Sequence, residues 1–215
     1  MKNLLLNAVV SILVTTAASV AFAEGDAKRG ESLVTACAAC HGSDGNSAAP
    51  TFPKIAGLGE KYILKQLHDI KSGDRVIAEM AGQLTNMSDQ DMADMAAYFG
   101  SQSMQLSGSK EMQVQLNSGV KTDALALGKK VYHAGNAETG VPACMGCHSP
   151  TGHGNDPAKY PRLGGQFPEY IEKQLRAFRA GDRTNDGDNM IMRGVAAQLS
   201  DAEIKAVANY IAGLN

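Results

Sequence analysis

The sequence has no tryptophan, and aromatic residues make up only 5% of its 215 positions. That is a thin supply for cores built from protein alone, above all if the chain divides into small domains. After the first 23 residues no segment approaches the roughly 18 apolar residues that span a bilayer, so the remainder is soluble or peripheral. Neither half shows a run of alternating apolar and polar residues, and the chain reads as all-α. An excess of basic charge is also missing. Lys and Arg number 20 against 22 Asp and Glu, which argues against nucleic acid as a partner. Cysteine is scarce as well: there are four.

All four fall in two copies of one pattern, Cys37-Ala38-Ala39-Cys40-His41 and Cys144-Met145-Gly146-Cys147-His148. Two cysteines three apart with histidine directly after form the attachment pattern of a c-type haem. Each thiol adds across one porphyrin vinyl group, so both sulfurs must face one edge of the ring. The next residue then directs its imidazole at the iron. The pattern predicts two haem c groups, held by Cys37 and Cys40 and by Cys144 and Cys147, with His41 and His148 as axial ligands. A haem in each half also supplies the core that the aromatic content does not.

The amino terminus fits export. Met1-Lys2-Asn3 precedes an apolar run from Leu4 to Val20, and Ala21-Phe22-Ala23 gives an A-x-A cleavage site. Residues 1–23 read as a signal peptide cleaved after Ala23, which points to the periplasm. The mature 192 residues carry 19 basic and 22 acidic side chains, a balance of −3.

Beyond Ala23 the chain is one unit written twice. Tyr62-Ile63-Leu64-Lys65-Gln66-Leu67 matches Tyr170-Ile171-Glu172-Lys173-Gln174-Leu175, Gly73-Asp74-Arg75 matches Gly181-Asp182-Arg183, and Ser88–Tyr98 matches Ser200–Tyr210. The offset is 107 at the cysteines, 108 at Tyr62/Tyr170 and 112 at Ser88/Ser200, which places about four extra residues within Thr184 to Ile191. The expected domains are 24–100 and 123–215, joined by a Ser-, Gln- and Gly-rich linker over 101–122. Expected helices are Ala27–Ala36, Glu60–Lys71 and Asp89–Phe99, then Ala124–His133, Pro168–Ala180 and Asp201–Leu214, with Asp26, Ser88 and Ser200 as N-caps.

The sixth iron ligand is sought among Met80, Met87, Met92, Met95 and Met104 in the first unit and Met190 and Met192 in the second. At offset 112 Met80 falls on Met192, whereas Met87, Met92 and Met95 fall on Leu199, Ile204 and Val207, and Met190 falls on Ala78. Met80 and Met192 are therefore the expected distal ligands, and Met87, Met92 and Met95 are read as core. The carbonyls of Pro53 and Pro161, at matching places after each CxxCH, are expected to accept the other N–H of each proximal histidine. Arg75 and Arg183 are read either as partners of haem propionates or as solvated surface residues. His68 is expected at the surface, and His133 and His153, which have no mates, as structural or exposed.

With two CxxCH sites, a methionine after each and twinned helices, the mature chain resembles the dihaem cytochrome c4 family throughout. Asp44-Gly45-Asn46-Ser47, Lys65-Gln66-Leu67, Arg183–Asp188 and, most specifically, Met190-Ile191-Met192-Arg193-Gly194-Val195-Ala196 look like that family's motifs. The segment between Arg75 and Met80 is shorter than in some relatives. The resemblance implies two tandem class I cytochrome c-like domains related by a pseudo-twofold, with Met80 and Met192 at the family's distal positions. It also implies periplasmic electron delivery from a quinol-oxidising complex or another donor to a terminal oxidase, often of the cbb3 type. Some association with the membrane is part of that picture.

The expected function is therefore electron transfer by a monomer, not catalysis. The alternatives are the dihaem subunit of a flavocytochrome sulfide dehydrogenase and a dihaem peroxidase or thiosulfate-oxidising enzyme. Residues 24–108 hold 7 basic and 11 acidic side chains, and residues 109–215 hold 12 and 11. Acidic surroundings favour oxidised haem, so the C-terminal haem is expected to have the higher potential.

Overall fold

The computed structural model describes residues 24–215, so the expected signal peptide lies outside the described residues. The architecture is helical, with nine α-helices and one small hairpin among the described residues.

In the first unit Asp26 caps α1 (Ala27–Leu33) by accepting from the N–H groups of Lys28 and Arg29. One helix was expected to continue to Ala36. It breaks at Val34, and α2 (Thr35–His41) starts afresh. The break has a packing cause: Val34 is 3% exposed, and the turn lets both it and Cys37 face the same core while α1 runs along another helix. After a loop come α3 (Glu60–Ser72), stopped by left-handed Gly73, and α4 (Asp89–Ser101). Ser88 and Asp91 close a reciprocal capping box that fixes the start of α4. Met92, Met95 and Phe99 on α4 are buried against Ile63 of α3 and Leu84. Burying one such side chain contributes about 1.5–3 kcal/mol.

The second unit repeats the plan with α5 (Ala124–Ala134), α6 (Met145–His148), α7 (Pro168–Ala180), α8 (Ile191–Ala197) and α9 (Asp201–Ala212). Ser200 and Glu203 form the matching capping box on α9. In each unit the first helix crosses the last at a glycine. A Cβ on Gly30 would stand 2.0 Å from the Asp94 carbonyl oxygen, and one on Gly128 would stand 2.2 Å from that of Ala206. Gly30 and Gly128 are 98 positions apart, whereas Cys37 and Cys144 are 107 apart. The second unit therefore carries nine more residues between its first helix and its CxxCH. They form a loop closed by the Asn136–Val141 bridge and held to α9 through Asn136 Nδ2 and Glu203 Oε1 at 2.8 Å.

The segment expected as a linker is ordered and includes the one sheet among the described residues. Its strands β1 (Gln113–Gln115) and β2 (Lys121–Asp123) pair antiparallel, and Val114 is buried beside Ala124, Ala202 and Ala206. Upstream, Met104 is buried in the first core, and the Lys110 backbone exchanges two hydrogen bonds of 2.9 Å with the Asn209 side chain.

Candidate functional site

Helical winding in α2 sets Cys37 and Cys40 one turn apart on the same side, with His41 following at the carboxyl end. In the second unit Cys144 is the N-cap of α6, and Cys147 and His148 lie within that helix. None of the four cysteines is in a disulfide; Cys40 and Cys147 are exposed, Cys37 and Cys144 half-buried. Burial pushes the Cys37 thiol up and Cys144 to about 11. Cys37 and Cys144 are therefore thiols rather than thiolate nucleophiles, which argues against a thiol-redox site.

The histidines are held alike. His41 Nδ1 lies 2.8 Å from the Pro53 carbonyl oxygen, and His148 Nδ1 lies 3.0 Å from that of Pro161. A carbonyl only accepts, so each Nδ1 carries the hydrogen. Burial lowers both imidazole pKa values, with the proline carbonyls opposing in part. A neutral ring protonated at Nδ1 keeps its lone pair on Nε2, the form a metal ligand needs. The prolines are the acceptors that the spacing predicts.

Met80 ends a single 3₁₀ turn, Ala78–Met80, and is half-buried; Met192 is the second residue of α8 and is also half-buried. The other methionines separate from this pair. Met92 and Met95 are in the core at 0% and 2% exposure, Met87 packs against that core, and Met190 is 51% exposed with φ +48°.

A cavity of about 1310 Å³ collects Cys37, Cys40, His41 and Met80, and continues across the interface to Arg162, Tyr170 and Arg183. Cys144, Cys147, His148 and Met192 do not line it. Cys144, Cys147 and His148 lie at α6, with His148 against Pro161, and Met192 lies on α8.

At the interface the two arginines cross over. Arg75, 9% exposed, donates to Gln66 Oε1 at 2.7 Å and, in the other unit, to the Tyr170 hydroxyl and Gln174 Oε1 at 3.1 and 3.2 Å. Arg183 donates to Gln174 Oε1 at 2.7 Å and back across to the Tyr62 hydroxyl and Gln66 Oε1 at 3.3 and 3.1 Å. Every hydrogen bond of the two guanidiniums goes to a neutral group among the described residues. The positive field is felt nearby: burial pushes the Tyr62 hydroxyl up, yet Arg183 and Arg75 hold it below its ordinary value.

The sequence model of the family described as Cytochrome c matches residues 27–103 and 125–215. The chain is 49% identical to a cytochrome c4 of Azotobacter vinelandii, over 97% of this chain and 99% of that one. The chain belongs to the cytochrome c4 family. The crystal structure of reduced recombinant cytochrome c4 from Pseudomonas stutzeri superposes with a TM-score of 0.81 at 49% identity, covering 89% of this chain and all of that one. A thiosulfate dehydrogenase electron acceptor from Stutzerimonas stutzeri is 36% identical over 83% of this chain and 79% of its own length.

As a cytochrome c4, the chain is an electron-transfer protein with two covalently bound haem c groups. The donor set fits the group: two cysteines, one neutral imidazole and one thioether per unit, with a mostly apolar cavity at the first. Sequence reasoning did not find the polar crossing between the units. Its one signal was that Tyr62, Gln66 and Arg75 recur together as Tyr170, Gln174 and Arg183. The remaining histidines are peripheral. His68 is 42% exposed in its side chain, His153 is exposed beside Thr151, and His133 bonds the Tyr210 hydroxyl at 2.9 Å.

Proposed function

We propose that this cytochrome c4 is an exported, periplasmic carrier that takes electrons from a quinol-oxidising complex or another donor and passes them to a terminal oxidase of the cbb3 type. In this reading the signal peptide ends at Ala23, and residues 24–100 and 123–215 are the two haem domains, joined by 101–122. Cys37 with Cys40 and Cys144 with Cys147 hold the porphyrins. His41 and Met80 bind one iron, and His148 and Met192 the other. Arg75, buried, and Arg183, half-buried, would supply charge and donors to the propionate carboxylates. The protein acts as a monomer with at most peripheral contact with the membrane.

The observation that carries the reading is that a proline carbonyl holds the CxxCH histidine in both units, with a methionine at the matching position of each repeat. Haem c supplies a one-electron Fe(II)/Fe(III) couple when bound. A thioether favours the reduced state, and two protein ligands leave no position for a small molecule. Both properties suit a carrier and disfavour a peroxidase. Reoxidation of the reduced protein by membranes containing a cbb3-type oxidase, without peroxide turnover by the pure protein, is the expected result. Peroxide turnover would contradict it.

One relative favours a second reading, in which the chain accepts electrons from thiosulfate dehydrogenase. Rapid reduction in the presence of that enzyme and thiosulfate, with no reoxidation by the oxidase, would favour it over the first.

A further inference from the structure

Each proximal histidine is oriented by a peptide group whose other end points across the interface. The Pro53 carbonyl that accepts from His41 belongs to the same peptide as the Lys54 N–H. That N–H donates to Gln166 Oε1, in the other unit, at 3.0 Å. The Gln166 amide also donates from Nε2 to the Lys54 carbonyl at 2.7 Å. Gln166 is 2% exposed and Lys54 4%. Lys54 Nζ fixes the strap further, donating to the Gln105 carbonyl at 2.6 Å and lying 4.7 Å from the centre of the Phe167 ring.

The second unit has the same arrangement in weaker form. The Pro161 carbonyl accepts from His148, and the N–H of that peptide, on Arg162, reaches the Leu58 backbone carbonyl of the first unit at 3.3 Å. At the offset of 108, Leu58 is the mate of Gln166. The repeat has therefore put a side-chain acceptor on one strap and only a longer backbone contact on the other.

We propose that Gln166 is a positioning residue for the iron of the first unit, acting from the second. Hydrogen bonds in a chain polarise one another. Accepting the Lys54 N–H makes the Pro53 carbonyl a stronger acceptor and gives the His41 ring more imidazolate character. The ring then donates more to iron through Nε2 and favours Fe(III). The proposal rests on the reading of His41 as an axial ligand.

The test uses the full-length haem-loaded protein, with the two potentials resolved by NMR-monitored redox titration. The ¹H and ¹⁵N shifts of His41 Nδ1–H and His148 Nδ1–H are followed in the reduced, diamagnetic state. Gln166→Leu, which installs the residue of the mate position, is expected to shift the N-terminal haem about threefold toward Fe(II). That is about 28 mV upward at 59 mV per tenfold for one electron. Its His41 Nδ1–H resonance moves upfield, and the C-terminal potential and His148 stay in place. Gln166→Glu keeps an acceptor and moves the His41 resonance downfield, with a lower N-terminal potential.

A folded Gln166→Leu protein with His41 unmoved, or with both potentials shifted alike, would overturn the proposal. Should that variant fail to load two haems, Gln166→Glu decides by whether the His41 resonance moves. A wild-type His41 without the large ring-current shifts of an iron-bound imidazole would instead refute the ligand reading.

Discussion

The two units share a plan but hold it together differently. In the first, α1 crosses α4 over a buried carboxylate: Asp94 is 0% exposed, accepts the Asp26 N–H at 2.8 Å and pairs with Arg29. In the second, the same position on α9 is Ala206, also 0% exposed, and the crossing is apolar. The turn after each CxxCH is tied by different tyrosines. Tyr98 of α4 donates to the Ser43 carbonyl at 2.9 Å. Its mate Tyr210 faces His133 instead, and Tyr132 of α5, fully buried, donates to the Ser149 carbonyl at 2.7 Å. The nine-residue insertion frees the end of α5 for that task. Duplication has kept each CxxCH histidine on its proline carbonyl while the scaffold around it was rebuilt.

The largest test of the comparison removes one proposed distal ligand at a time. Met80→Ala and Met192→Ala should each convert one of the two haems to high spin and lower its potential by about 100 mV or more. The other haem should keep its spectrum. Equal disturbance of both haems by either variant would break the assignment of one methionine to each unit.

The helix crossings should be equally intolerant despite their different chemistry. Gly30→Val and Gly128→Val each force a side chain into a carbonyl at about the same distance. Both should cost their unit roughly 3 kcal/mol, at the upper end of overpacking effects, read as lowered thermal midpoints. Tolerance at one site would mean that the crossings are not equivalent.

Acid should separate the units. Burial pushes the Asp94 carboxyl up, but the Asp26 N–H, Gln90 and Arg29 outweigh it and hold the pKa below the ordinary 3.8. A depressed folded value means that the contribution is complete above the unfolded value. It is lost as pH falls through the folded one. Below about pH 4 the first unit should therefore lose stability that the apolar crossing of the second does not. Asp94→Asn should flatten that part of the pH profile, which a pH series of denaturation midpoints would show.

The smallest effect is the expected difference in potential. The first unit is the more acidic, and its strap has the stronger acceptor, so both favour oxidised iron there and leave the C-terminal haem with the higher potential. Salt screens the charge part over about 8 Å at physiological ionic strength. A resolved titration with the N-terminal haem higher would contradict it.

Much of this was legible in the residues. The two CxxCH sites and the proline carbonyls that hold their histidines come from spacing and repetition, because covalent attachment demands residue types at set distances; the matched methionines rest on the repeat alone. Helix caps at Asp26, Ser88 and Ser200 were legible for the same local reason. The interruption at Val34 was not, since it depends on which face the core accepts. Strands of three residues are too short to show alternation. Gly30 and Gly128 mark a true offset of 98, but a lone glycine is silent until a helix crosses it. The burial of Arg75 and the pairing of Lys54 with Gln166 arise from the docking of two units, a contact that no periodicity within one unit encodes.

The central claim is that two distinct scaffolds present one electron-transfer site, and an optical and near-infrared spectrum of the oxidised and reduced protein, with haem counted per chain, tests it most directly. Two haems per chain, both low-spin and each contributing the weak long-wavelength methionine–iron band when oxidised, is the predicted result. One high-spin haem, or a methionine band that accounts for a single iron, would contradict it.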